Sequence, residues 1–445
     1  MPNARKPVFG WMFFDWASQP YATILLTFVF GPYFTSVVMD DPVLAQQYWG
    51  WMLAVTGLVI AVLAPVLGSV ADASHSRRGW ILAFSLFYVV GAAALWFAAP
   101  ASPYPVLVMF AFGVGLMGAE FATIFTNAIL PELGTRQEIG RISGSGWAFG
   151  YVGGLLSLAT VLLFFAEQES GRTLIGLEPL FGLDAQSREG TRAVGPLTAI
   201  WYLLFMIPFF LWVPMRRENP PANEGLAGLA KTIRSLPRHP SLLAYLGSSM
   251  FYRDALNGLY AFGGIYAVGV LKWSIVQVGV FGILGLVFGA VFAWLGGHAD
   301  QRLGPKPVII VSLLGLILAC IAIVTTSREQ VFLVGVASGS TLPDTVFLIF
   351  GCLIGAMGGA LQAASRTMMC RQADEGRMTE AFGLYALSGK ATAFLAPFLI
   401  AEATRWTGDQ RLGVTPLIGL FAVGGILMLW VNSDGRLSTK QVQTW

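Results

Sequence analysis

Residues 68–79 read GSVADASHSRRG, and residues 296–306 read GGHADQRLGPK. Each stretch follows a long apolar run. Each sets a glycine four positions before an aspartate, with basic residues close behind: Gly68, Asp72, Arg77 and Arg78 in the first, and Gly296, Asp300, Arg302 and Lys306 in the second. The glycine and aspartate are displaced by 228 residues. Two other markers recur at nearly the same spacing. Gly140-Arg141 returns as Gly376-Arg377, 236 residues later, and Asp15 in the first apolar run returns as Asp254 in the seventh, 239 residues later. Three markers in one order at nearly one offset indicate a duplicated unit.

Composition names the solvent in which that unit folds. Hydrophobic residues make up 56% of the 445 positions, charged residues only 11%, and the mean hydropathy is +0.68. A soluble domain carries roughly 25% charged residues, so this is an integral membrane protein. Apolar runs of about 20 residues, enough to cross a hydrocarbon core of roughly 30 Å as helices, fall near 10–38, 48–70, 80–99, 104–128, 143–166, 197–214, 241–270, 275–297, 307–326, 345–369, 379–401 and 414–431. Runs of that length suit helices, since barrel strands are shorter and alternate. The expected fold is an all-α integral membrane bundle of twelve transmembrane helices in two six-helix repeats. Both repeats begin on the same side, so they are parallel and related by an axis along the membrane normal.

The domain limits follow from the polar breaks. Residues 215–240, MRRENPPANEGLAGLAKTIRSLPRHP, separate a six-helix half at 1–214 from a second at 241–445. A helix-compatible middle between Pro-Pro and Pro237 predicts a linker with a short amphipathic helix on the membrane surface. The break from Glu167 to Gly195 mixes both charge signs and is expected outside the cell. With the N-terminus on one side, that side holds eighteen Lys and Arg residues and the opposite side seven. This asymmetry places both termini in the cytoplasm, and the setting expected is a bacterial inner membrane. The basic loops are then a topology signal and call for no nucleic acid, despite a net charge of +3. The first span is too long for a signal h-region, which is about 7–15 residues, and is expected to stay in the protein.

Chemistry is legible in the polar residues that interrupt these spans. An ionisable group at bilayer depth costs at least about 2.5–3.5 kcal/mol on insertion scales, so it should face protein, a partner or water. FFDWASQPY places Asp15, Ser18 and Gln19 on one helical face. They either contact substrate or protons, or Asp15 caps and pairs locally near the membrane edge. FYRDALNGLY in span seven brings Arg253, Asp254 and Asn257 together, as a cavity cluster or a structural ion pair. Glu120 shares a face with Thr123 and Asn127 and is the candidate proton carrier, its rival reading being a buried hydrogen-bonded carboxyl. Lys390 is either a counterion for one of these carboxylates or a ligand for an anionic substrate group. Gln362 and Arg366 lie one turn apart in span ten, with Arg366 close to the cytoplasmic edge. The aromatics Trp11, Phe13, Phe14, Trp16 and Tyr21 read as packing and interfacial belt. Glycines spaced by three and four in FGVGLMGAEF, FGILGLVFGAVFAWLGG and GCLIGAMGGA let helices approach closely.

The two loops that opened the reading resemble those of the major facilitator superfamily, whose pattern is G-x-x-x-D-R/K-x-G-x-R-R/K. The second copy is the closer match. The first lacks the basic residue after Asp72 and the inner glycine, and sets Arg77-Arg78 one position late. More narrowly, FFDWASQPYATILLTFVFGPYF resembles the opening of the branch that holds the fungal vacuolar amino-acid effluxers of autophagy and their bacterial relatives. The resemblance implies a gating role for Gly68, Asp72, Arg77, Arg78, Asp300, Arg302 and Lys306, and a small solute such as an amino acid, moved outward.

No enzyme signature competes. There is no H-E-x-x-H, Walker loop or G-x-S-x-G elbow, and Cys320, Cys352 and Cys370 show no disulfide or zinc pattern. No metal or cofactor is called for, and uphill movement would draw on an ion gradient or the solute's own. The expected function is therefore secondary active transport by alternating access, coupled to protons, in a monomer whose other partners are membrane lipids. Two alternatives stay open: a lipid or lysolipid flippase on the same scaffold, and a non-transporting assembly or sensor protein.

Overall fold

The computed structural model describes residues 5–74, 77–168, 170–214, 226–273 and 275–435. Twelve long helical segments follow one another in these residues. Spans one to six are Arg5–Val38, Leu44–Ala73, Arg77–Phe97, Pro105–Glu132, Ile139–Phe164 and Glu189–Trp212. Span seven is Pro240–Gly269. Spans eight to twelve are Gln277–Leu303, Pro305–Val324, Leu342–Gln372, Met378–Thr407 and Gln410–Leu429. Eleven of them are long and apolar enough to cross a membrane. Span seven has the length as well, 30 residues or about 45 Å at 1.5 Å per residue, but its apolar run is broken by Arg253, Asp254 and Asn257. The architecture is the expected twelve-helix bundle.

Proline and glycine shape the spans that bear polar residues. Span one runs as an α-helix to Pro20, widens into a π-helix at Tyr21–Phe28, and after Phe30–Tyr33 widens again at Phe34–Val38. Pro20 and Pro32 lack the N–H that would continue the α-helical ladder, and π segments of this kind cluster at functional sites. Span eleven is interrupted outright. Its halves are Met378–Ala391 and Leu395–Thr407, separated by residues 392–394. Pro397 explains the break, because its ring clashes with the carbonyl of the residue four back, Ala393, and donates no bond to it.

The loop between spans four and five shows how sequence sets a helix start. Thr135 and Glu138 form one half of a capping box: Glu138 Oε2 accepts from both the Thr135 N–H and its hydroxyl at 2.9 Å. The exposed Glu138 carboxyl is held below its ordinary value of 4.5, first by the Thr135 N–H.

The chain forms two compact units. One comprises 1–60, 74–127 and 149–219, the other 61–73, 128–148 and 220–445. The second unit thus takes in the last residues of span two and the first residues of span five along with spans seven to twelve. Of the expected linker, residues 215–225 lie outside the described residues. The rest holds the helix Leu226–Ser235, with Leu229 buried, and Arg377 donates to Thr232 Oγ1 at 2.8 Å.

Candidate functional site

In the first unit, two hydrogen bonds set the register of span one against span four. Trp11 Nε1 donates to the Thr126 carbonyl at 2.8 Å, and the Tyr21 hydroxyl to the Phe112 carbonyl at 2.6 Å. Asp15 lies four residues beyond Trp11, and Glu120 six before Thr126. At 1.5 Å per residue these are about 6 and 9 Å from the first bond, so the two carboxylates stand within about 3 Å of one another in depth. Both side chains are half-buried while Phe14, Ala17, Phe121 and Ile124 around them are buried. Ser18, Gln19, Thr123 and Asn127 are half-buried on the same two faces, and Gln19 Nε2 reaches Thr23 Oγ1 at 3.5 Å. The opening aromatics divide by role: Trp11, Phe14 and Tyr21 are core residues, and Trp16 stacks on Trp201 with ring centres 5.9 Å apart.

Span seven distributes its polar cluster over two faces. Arg253 is half-buried and Asn257 exposed, whereas Asp254 is only 1% exposed. Helix geometry accounts for the split, since Asn257 lies about 40° from Arg253 around the axis and about 60° from Asp254 on the other side. Arg253 lies over the Tyr385 ring of span eleven, 4.1 Å from its centre, and its Nη1 donates to the Tyr385 carbonyl at 2.7 Å. It rests against Gly389, where any Cβ would collide with the guanidinium, 2.7 Å from Nη2. Lys390 follows immediately and is half-buried. Asp254 is turned toward the second half of span eleven, its Oδ2 accepting from the Ala396 N–H at 3.0 Å. In place of an ion pair with its sequence neighbour, Asp254 engages the start of a helix.

The residues expected at the gate form two matching seams within the second unit. In one, Asp72 at the end of span two accepts from the N–H groups of Thr379 and Glu380, at 3.3 and 2.8 Å, at the first turn of span eleven. A carboxylate is favoured there by the helix dipole and the unpaired N–H groups. Gly68 faces the Thr379 carbonyl, 2.6 Å from an ideal Cβ, and Gly383 faces Pro65 Cα at 2.7 Å. In the other seam, Asp300 at the end of span eight packs on Gly140 at the start of span five, and Gly144 packs backbone to backbone on Gly297, 2.6 Å from its Cα. Span two on span eleven and span eight on span five are thus two versions of one joint, as the repeat implies.

The basic partners differ from the sequence expectation. Asp300 is 1% exposed and faces Arg371 of span ten, with Nη2 at 3.8 Å. Arg302 is exposed, and Lys306 donates to the carbonyls of Leu429 and Val431 at 3.0 and 2.7 Å, closing the end of span twelve. Arg302 lies about 200° around the helix from Asp300, and Lys306 lies beyond the helix end at Leu303. In the first copy Arg77 is half-buried, and Arg78 is exposed and sits over the Phe210 ring at 5.9 Å.

Span ten supplies a further buried cation. Arg366, placed by sequence near the membrane edge, is 3% exposed; it donates to Ser143 Oγ at 3.0 Å and to the Ser143 carbonyl at 2.7 Å, and lies 5.6 Å from the Trp147 ring centre. Gln362 is half-buried and bonds its own helix at the Gly358 carbonyl, 3.3 Å. Sequence reasoning passed over Arg371, Ser143 and Glu380. Glu380 is 1% exposed at the head of span eleven, and the signal for it was a second acidic residue four places after Gly376.

Comparison with known proteins matches the fold. Two solved structures share the fold: the proton:xylose symporter XylE, with TM-score 0.72 and 12% identity over 96% of this chain and 95% of that one, and FucP in an outward conformation, with TM-score 0.72 and 13% identity over 96% and 98%. In sequence, the chain is 24% identical over its whole length, and 99% of the relative's, to the uncharacterized MFS-type transporter YxiO of Bacillus subtilis. It is 24% identical over 69% of its length to autophagy-related protein 22-1 of Aspergillus clavatus, of which the match spans 51%. YxiO is named as a transporter and XylE as a symporter. Residues 48–440 match the model described as vacuole effluxer Atg22 like, and the chain accordingly belongs to that family of major facilitator transporters.

Proposed function

We propose that this transporter exports a small polar solute, an amino acid or a related metabolite, by alternating access, and that protons moving through the Asp15 and Glu120 pair drive it. The observation that carries the reading is that two half-buried carboxylates, Asp15 and Glu120, stand within about 3 Å of one another in depth on spans one and four. Carboxylates at membrane depth must be neutral, paired or hydrated at each stage of a cycle. A group that releases its proton on one side and regains it on the other carries charge across. Arg253, pinned between Tyr385 and Gly389, presents a fixed cation of the kind a solute carboxylate would meet. The basic asymmetry of eighteen against seven favours termini in the cytoplasm, with the two seams then closing the cytoplasmic side.

Counterflow on purified, reconstituted protein with a metabolite library identifies the solute. Glu120→Gln, which mimics the protonated acid, should then abolish accumulation driven by a pH gradient while leaving exchange of solute intact. A Gln variant that still concentrates solute under a pH gradient alone would remove Glu120 as the carrier.

A further inference from the structure

A second buried carboxylate stands apart from that pair. Asp254 is 1% exposed, its Oδ2 accepts from the Ala396 N–H, and its Oδ1 has no hydrogen-bond partner. It is aimed at the start of Leu395–Thr407, the thirteen-residue second half of span eleven. Residues 392–394 precede that half as a break that Pro397 enforces. Around it, span seven also holds span eleven through Ser249 Oγ to Ser388 Oγ at 3.0 Å and Thr392 Oγ1 to the Met250 carbonyl at 3.4 Å.

We infer that Asp254 is a proton-binding site, and that its protonation state sets how firmly the second half of span eleven is docked on span seven. Space selects the ligand. Gly258, one turn further on, packs so tightly that an ideal Cβ would lie 2.9 Å from Ala396 Cβ and 3.2 Å from Leu417; the joint admits a proton but no solute. Charge selects it too. Arg253 turns to Tyr385, Lys390 precedes the break, Glu402 and Arg405 pair with each other at 2.6 Å, and Pro416–Leu429 of span twelve has no charged residue. Among the described residues no charged side chain engages Asp254. Its charge is therefore balanced only by a helix N-terminus, whose attraction for an anion is lost when the acid is neutral. The ionised form docks the half-helix, and the protonated form releases it about residues 392–394. This inference rests on the transport reading for its purpose but on none of it for its test.

Spin labels at Ile265 of span seven and Trp406 of span eleven, which are 55% and 79% exposed, in a background without native cysteines, report the docking in solute-free liposomes. Wild type should show two distances whose ratio changes with pH by up to about tenfold per unit, the slope of a single proton, with the docked one favoured at high pH. Asp254→Asn, whose carbonyl still accepts from Ala396, should hold the low-pH distribution at every pH. Glu120→Gln should keep the wild-type response, which separates this site from the proposed carrier. Distances independent of pH in wild type, or an Asn variant that still responds, would overturn the inference.

Discussion

Replacing Gly144 by alanine tests whether the two seams are a gate or only a tight fit. An ideal Cβ on Gly144 would lie 2.6 Å from Gly297 Cα and 2.9 Å from its N, and closer still to the Ala293 carbonyl. Ordinary contact begins near 3.4 Å, so span five and span eight must separate by at least about 0.8 Å, 3.4 less 2.6. The obstructing atoms are backbone, and no side chain can rotate out of the way. Overpacking of this sort costs about 1–3 kcal/mol. Alanine also gains roughly 1 kcal/mol of helix propensity over glycine, but it does so whether the seam is closed or open and cancels from the equilibrium between them. The full clash therefore acts on the populations, a change of about 5- to 150-fold toward the open seam.

The reporter for that shift is a cysteine at Thr379 in the matching seam, in a background without native cysteines. Thr379 is fully buried and its hydroxyl has no partner, so a near-isosteric thiol costs little. A membrane-impermeant thiol reagent added from the side of the termini should label it faster in Gly144→Ala by that factor. Gly57→Ala serves as the control, since nothing lies within 4 Å of its Cβ position. Equal labelling rates in the Gly144 and Gly57 variants would refute the idea that the seams open together.

Asp72→Asn keeps its shape but loses the charge that faces the Thr379 and Glu380 N–H groups, a helix-end interaction of about 0.3–1 kcal/mol. The same labelling should rise by up to about fivefold, and Asp300→Asn should act in the same direction. Solute affinity within the favoured state should stay unchanged, because a contact that does not touch the ligand alters only populations. Glu138 gives a pH signature at the head of span five. Its carboxyl is held down by Thr135, so the stabilisation is complete above the ordinary value of 4.5 and is lost as pH falls through the lower folded value. Thermal unfolding followed across pH 3–6 should show that loss, and Glu138→Gln, which cannot ionise, should flatten the acid limb. A full acid limb in the glutamine variant would assign the effect to other carboxylates.

The sequence by itself determined the membrane class, the twelve spans and the duplicated order of markers. Hydropathy is written along each stretch it acts on, so the spans are legible where they lie, whereas the break at residues 392–394 divides a run that reads in sequence as one span, 379–401. It also singled out the polar residues at bilayer depth, Asp15, Glu120, Arg253 and Asp254, because lipid makes each costly. Tertiary structure decided whom they meet. Asp300 faces Arg371 of another span instead of Arg302 or Lys306 nearby, Arg366 is buried on Ser143, and Asp254 turns from Arg253 to the head of a half-helix. The reason lies in the solvent. Lipid is as apolar as the helix surfaces it covers, so no hydrophobic gradient fixes how each helix rotates or which neighbour it takes. Close backbone packing at small residues does that. Contacts such as Gly144 on Gly297 and Gly68 on the Thr379 carbonyl join positions more than 150 residues apart, and only the assembled helices bring them into register.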